Sequence, residues 1–205
     1  MTTALLQTTY FGPIQWYQKL YRYDHCLIEQ YDSFQKQTYR NRCMIATANG
    51  TQALTVPIIH NGELVKDLRI SDHNQWRRVH WNALQSAYSE SPFFEYYADD
   101  LHPFFEQKYD FLVDFNEAIR QKVCELIDIH PNVEYTTKYQ PSALNPQPST
   151  LTDFRDVINA KHPQPDEGFT PKEYWQVFQH KHGFLPNLSI LDLLFNMGPE
   201  SVFFL

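Results

Sequence analysis

Glycine is scarce in this sequence. With 6 glycines in 205 residues, the backbone is not loop-dominated, and neither a GxGxxG fingerprint nor a P-loop is present. Cysteine is also rare: Cys26, Cys43 and Cys124 are odd in number, far apart and form no CxxC pair. That excludes a disulfide scaffold or a cysteine zinc site and suits a reducing compartment. No apolar run approaches the roughly 20 residues that span a bilayer. The opening MTTALLQ lacks the basic and long apolar regions of a secretory signal, so a cytoplasmic location is expected. Positive charge is in deficit as well. Seventeen Lys and Arg against 24 Asp and Glu leave a net charge of −7, which argues against broad nucleic-acid binding. GxSxG, HExxH and Cys–His signatures are missing. His180-x-His182 has the wrong spacing for a helical ligand pair, and no metal site is expected.

What is present is a folding composition, 42% hydrophobic and 16% aromatic with 15 Phe, 13 Tyr and 4 Trp. The length suits one domain over 1–205 with a substantial core. Residues 4–10 read as a strand broken by Gly12-Pro13. A helix over 13–23 follows, with Pro13 at its first position, and then a strand over 25–30. This spacing is that of a parallel βαβ unit. RCMIATA and TQALTVPI flank Asn49-Gly50, which predicts an antiparallel hairpin with a two-residue type I′ turn. That register pairs Ile45 with Leu54 and Cys43 with Val56. Asn61-Gly62 marks a second turn, and a short strand is expected over 65–70.

Helical period governs the rest. A helix over 75–88 is capped by Asp72 or Asn74, two short pieces are broken by Pro92 and Pro103, and a longer helix covers 109–128. After a strand over 133–138 and a proline-rich connection over 141–150, helices are expected from Thr152 onward, at KEYWQVFQHKH, and over 189–197. The fold class is therefore α/β: an N-terminal strand–turn–helix–strand unit with parallel pairing, an inserted antiparallel hairpin, and a helical C-terminal half.

Charge is uneven along the chain. Between Ser33 and Arg78, seven cations (Lys36, Arg40, Arg42, Lys66, Arg69, Arg77, Arg78) face three carboxylates (Glu63, Asp67, Asp72). A local basic excess on an acidic protein suits a small anion such as phosphate; the alternative is a solvated rim of surface charge. Lys36, Arg40, Asn41, Arg42 and Arg77 are candidate ligand-binding residues. Gln7, Thr8 and Tyr10 join them at the end of the first strand, where open α/β sheets bind ligands beside a helix N-terminus. His80 lies near the apolar face of its helix and reads either as a satisfied core residue or as a site residue. Arg77 and Trp81 are i,i+4 neighbours positioned to stack.

Four stretches carry a resemblance. QTTYFGPIQWYQKLYRYDHCLIEQYDSFQKQTYRNRC, LTVPI with RISDHNQWRRVHW, SAYSESPFFEYYADDL, and GFLPNLSILDLLFNMGPES stand in the order and spacing of the WbqC-like protein family. Gln7-Thr8 replaces the family's Gln-Pro. The Gly-rich second-half segment of longer members is shortened here to the proline-rich stretch before GFLPN, so the chain resembles a short form. The resemblance implies a context of surface-polysaccharide (O-antigen) assembly. It also implies a ligase or transferase using a phosphate-bearing small molecule, a nucleotide or sugar nucleotide. The alternative is a non-catalytic anion- or nucleotide-binding module, or a protein-interaction module using the aromatics of PFFEYY and SVFFL.

Overall fold

The computed structural model describes residues 1–59, 64–141 and 151–205. Its centre is a four-stranded, all-parallel sheet of β1 (Thr3–Gln7), β2 (His25–Glu29), β7 (Val133–Tyr135) and β8 (Leu151–Asp153), ordered β7-β2-β1-β8. β1 is an inner strand with Ala4, Leu5 and Leu6 all buried, the continuous apolar run of a parallel strand covered on both faces. α1 (Ile14–Arg22) connects β1 to β2 as the spacing predicts.

The Gly-Pro turn is a three-way junction. Ile14 N–H donates to the Leu188 carbonyl, Ile190 N–H to the Gly12 carbonyl, and Ser189 N–H to the Met44 carbonyl, while the Ser189 hydroxyl donates to the Phe11 carbonyl. Pro13 is the extended N-cap residue, one position before the helix. Gly12 is required by space: a Cβ there would lie 2.5 Å from Thr9 Oγ1 and 2.9 Å from Thr9 Cβ, in a fully buried turn. Gly12→Ala is expected to cost ~1–3 kcal/mol, as overpacking does, and a urea melt would read the loss as a lower midpoint.

β3 (Arg42–Thr47) and β4 (Gly50–Thr55) form the antiparallel hairpin. Its register differs from the expected one by two residues: Cys43 faces Leu54, Ile45 faces Gln52, and Thr47 faces Gly50. Only Gly50 takes positive φ, at 101°, while Asn49 does not. The turn therefore bends at Ala48-Asn49 with Gly50 as the left-handed residue, an alternative loop that also places glycine after asparagine. The short pair β5 (Ile58–Ile59) and β6 (Arg69–Ile70) follows, with a 3₁₀ turn over Val65–Asp67 in place of most of the expected strand. The Asn61-Gly62 turn and most of the proline-rich connection lie outside the described residues.

α2 (Trp76–Tyr88), α3 (Phe94–Leu101), a 3₁₀ turn over His102–Phe105 and α4 (Leu112–Leu126) match the predicted periodicity. The cap of α2 does not: Gln75 is its N-cap residue, left-handed and without a side-chain cap bond. Asp72 instead pairs with Arg77 and Lys108. Tyr10 and Phe11 plug the first turn into this layer, Tyr10 stacked on Phe115 and Phe11 on Phe105. Trp81 packs on His102, Phe94 and Phe105 rather than on Arg77.

Two expected helices are absent. Residues 151–153 pair with the open edge of β1, and Phe154 N–H extends that ladder to the Leu5 carbonyl; an unpaired parallel edge outweighs weak helix propensity. KEYWQVF is extended, because its burial alternates: Tyr174 and Gln176 are buried and Glu173 and Trp175 are exposed. Helix is confined there to α5 (Gln179–His182), ahead of α6 (Ile190–Met197), which is buried on nearly every side.

Candidate functional site

The parallel sheet aims the C-terminal ends of all four strands at one edge. There the chain has filled the space with its own polar groups. Glu29, at the end of β2, accepts from Tyr31 N–H, the Thr136 hydroxyl and Gln140 N–H, with Arg155 Nη1 at 3.6 Å. Arg155 also pairs with Asp153 at 2.6 Å. Gln7 donates through Nε2 to the Ile158 carbonyl, and its own carbonyl accepts from Trp16 Nε1. Thr8 Oγ1 accepts from Asn116 Nδ2. Gln7 and Thr8, both expected to line a ligand site, are thus buried joints between elements. The N-terminus of α1 is occupied as well: Ile14 N–H binds the Leu188 carbonyl and Gln15 N–H binds Asn187 Oδ1. The expected contribution of those N–H groups to an anion site is taken up by the protein itself.

The basic region divides. Arg40 turns inward, 2% exposed, and pairs with Asp32 at 2.7 Å; burial pulls its guanidinium below the usual value, against the attraction of Asp32 and Asp156. Arg77 lies over the Trp76 ring and pairs with Asp72 at 2.6 Å. His80 is held from two sides. The Tyr10 hydroxyl and Nδ1 share a hydrogen bond of 2.9 Å, and the Thr55 backbone interacts with the ring as well. Burial lowers its pKa to about 4, so this histidine stays neutral and packs against Trp76 and Tyr10. Tyr10 is likewise fully buried, and its hydroxyl is pushed well above the usual range by desolvation.

Lys36, Asn41 and Arg42 do come together. They line one open cavity of about 330 Å³ with Phe34, Gln37, Thr55 and Ile58. The hairpin builds it: Arg42 and Thr55 are register partners, and Arg42 Nε donates to Thr55 Oγ1 at 3.1 Å, which holds the guanidinium in the cavity lining. Asn41 is anchored at the floor, its Nδ2 donating to the Val56 carbonyl while its own carbonyl accepts Val56 N–H. Of the described residues, two cations and no carboxylate line it. Among the described residues, neither Lys36 nor Arg42 has a carboxylate within ion-pair distance. Thr55 and Ile58 escape sequence reasoning because only the hairpin pairing carries them to Arg42; Phe34 and Gln37 stand in the same polar loop as the predicted residues.

Among the described residues there is no cluster of metal-ligating side chains and no helix long and apolar enough to cross a membrane. All three cysteines are buried and free. Over 97% of its length the chain is 26% identical to the "Uncharacterized protein Rv1507c" of Mycobacterium tuberculosis (strain ATCC 25618 / H37Rv), covering 94% of that protein. No solved structure matches it significantly. The model of the WbqC-like protein family matches residues 7–163, from the end of β1 through α1, β2, the hairpin, the Lys36–Arg42 cavity and α2 to α4, and the chain belongs to that family.

Proposed function

We propose that the protein binds a phosphate-bearing small molecule, a nucleotide or sugar nucleotide, in the cavity of Lys36, Asn41 and Arg42. One observation carries this reading: among the described residues, two cations line a single cavity without a neutralising carboxylate, whereas the neighbouring Arg40, Lys66 and Arg77 are each paired with an aspartate. Like charges placed together in a concave site are offset best by an anionic guest, and a guanidinium pinned through Nε presents a planar fork suited to phosphate oxygens. The two amides and the Thr55 hydroxyl supply further orienting groups, and Phe34 and Ile58 supply apolar wall. These residues bind and orient. A ligase or transferase step, and its place in surface-polysaccharide assembly, is the part of the reading that rests on the family resemblance.

Titration calorimetry with pyrophosphate, nucleoside diphosphates and sugar nucleotides tests it. Arg42→Ala is expected to weaken binding about tenfold or more, since a charge-assisted contact is worth ~1.5–3 kcal/mol, and Arg42→Lys to restore part of it. Lys122→Ala, on α4 and outside the cavity, where Lys122 pairs with Glu125, serves as the control and should leave affinity unchanged. Equal affinities for wild type and Arg42→Ala, or no heat from any of these ligands, would remove the reading.

A further inference from the structure

Beyond the cationic cavity, on the other side of the same strand end, lies a second recess. It measures about 210 Å³ and is lined by Thr55, Pro57, His73, Asn74, Trp76, Val79 and His80. Thr55 belongs to both: its side chain receives Arg42 Nε, and its backbone interacts with His80. Successive residues then divide between the two sides, Pro57 lining the second recess and Ile58 the first. The recesses also differ in chemistry. The first carries Lys36 and Arg42; the second carries the Trp76 indole, two imidazoles, a proline and a valine.

From this arrangement we infer that the second recess is the base subsite of one nucleotide site, with the phosphates in the first. The inference rests on the phosphate reading above and extends it to the uncharged half of the ligand. Four observations favour a heteroaromatic base. The wall offers flat groups on which a base stacks, the exposed His73 and the half-buried Pro57, beside the buried Trp76. His80 is kept neutral by burial, so it adds a ring and not a charge to the lining. Val79 lines the recess from α2 and is 53% exposed, an apolar side chain open to solvent. Asn74 brings an amide to the rim, able both to donate to and to accept from a base edge. An acyl chain would use the valine and the proline but would leave Asn74 and His73 without a role.

The backbone at that rim is consistent with the assignment. Asn74 and Gln75 are consecutive left-handed residues, with φ 62° and 49°, and such conformations outside glycine cluster at ligand sites. They are held from outside by Trp76 Nε1 on the Ser71 carbonyl and by Arg77 on Asp72.

The test compares ADP and UDP with pyrophosphate on the full chain by titration calorimetry, using Val79→Asn, His73→Ala and Arg42→Ala. Both subsite positions are solvent-exposed, and thermal melts confirm that the variants are folded. The expected result is that wild type binds a nucleotide at least about tenfold more tightly than pyrophosphate. Val79→Asn and His73→Ala together should remove about tenfold of nucleotide affinity while leaving pyrophosphate within about twofold, because those side chains do not line the cationic cavity. Arg42→Ala should weaken both ligands. If Arg42→Ala weakens both but nucleotides bind no better than pyrophosphate, or the two subsite variants bind ADP and UDP as wild type does, the base subsite is overturned and the phosphate cavity stands. If neither pyrophosphate nor nucleotide binds wild type, both readings fall.

Discussion

Asp192→Ala should be the most damaging single substitution in the C-terminal block, lowering stability by ~3–5 kcal/mol, the cost of stranding several buried polar partners. The Asp192 carboxylate is completely buried. It accepts from the Tyr88 hydroxyl at 2.8 Å, the Tyr174 hydroxyl at 2.7 Å, Gln176 Nε2 at 3.0 Å and, at 3.4 Å, Asn196 Nδ2. These donors come from α2, from the extended segment before α5 and from α6 itself, so one side chain ties three parts of the chain. No cation faces it among these partners, and burial raises its pKa against the opposing pull of the four hydrogen bonds. Asp192→Asn keeps the volume and one acceptor and should cost less than half as much. The pH dependence gives an independent check. A carboxyl whose folded-state pKa is raised contributes most below the unfolded value near 3.9 and loses that contribution as pH rises through the folded pKa. The stability difference between wild type and Asp192→Asn should therefore shrink from pH 4 upward. A difference that grows over that range, or an alanine variant with unchanged urea midpoint, would contradict the assignment.

The second large effect is expected at Lys19. This lysine is 2% exposed and pairs with Asp166 at 2.6 Å, with Gln18 Oε1 at 3.0 Å and the Phe154 ring at 4.7 Å. It fastens the loop around Asp166 to the back of α1. Lys19→Ala leaves a nearly buried carboxylate held only by Gln15 Nε2 and Gly168 N–H. The loss should be ~3 kcal/mol, at the low end of what breaking a buried ion pair costs. Burial raises the Asp166 pKa, but its hydrogen bonds to Lys19 and Gln15 outweigh that and hold it below the ordinary value. Its contribution is thus present above the unfolded carboxyl pKa and disappears as pH falls through the folded one, opposite in sign to Asp192. Wild type and Lys19→Ala should converge in stability below about pH 4. Limited proteolysis offers a second readout: cleavage near residues 163–168 should appear in Lys19→Ala first. Convergence failing in acid, with no new cleavage, would mean that the pair contributes little.

Several elements were legible in the sequence because local patterns and tertiary demands agree. The βαβ opening is one: an apolar run, a Gly-Pro break and a nine-residue helix, α1, can return only to a parallel neighbour. α2 and α4 are others, since most of their 3.6-residue stripes match the faces they bury, with Val79 of α2 the exposed exception, and α6 is apolar on most faces and buried on nearly all. So was the proximity of Lys36, Asn41 and Arg42, three residues of one loop and strand start. Their separation from Arg40 was not. Strand alternation would put Arg40 on the same face as Arg42, but Arg40 lies in the turn before β3 and Asp32 draws it inward. Arg77 was lost to the site for a similar reason, because Asp72 and the Trp76 ring claim it first.

The sequence by itself determined the composition of the core, the parallel opening, the existence of the hairpin and the family. The tertiary structure decided the rest, and the reason is competition for partners. LTD becomes a strand because the edge of β1 is open. KEYWQVF stays extended because Tyr174 and Gln176 must both reach Asp192. The hairpin register shifts by two because Gly50 alone takes the left-handed position. The two recesses meet at Thr55 because the end of β4 runs between Arg42 and His80. The register is set by the hairpin's own Gly50; the other outcomes are not encoded within a single window of sequence, and each is settled by a residue farther along the chain.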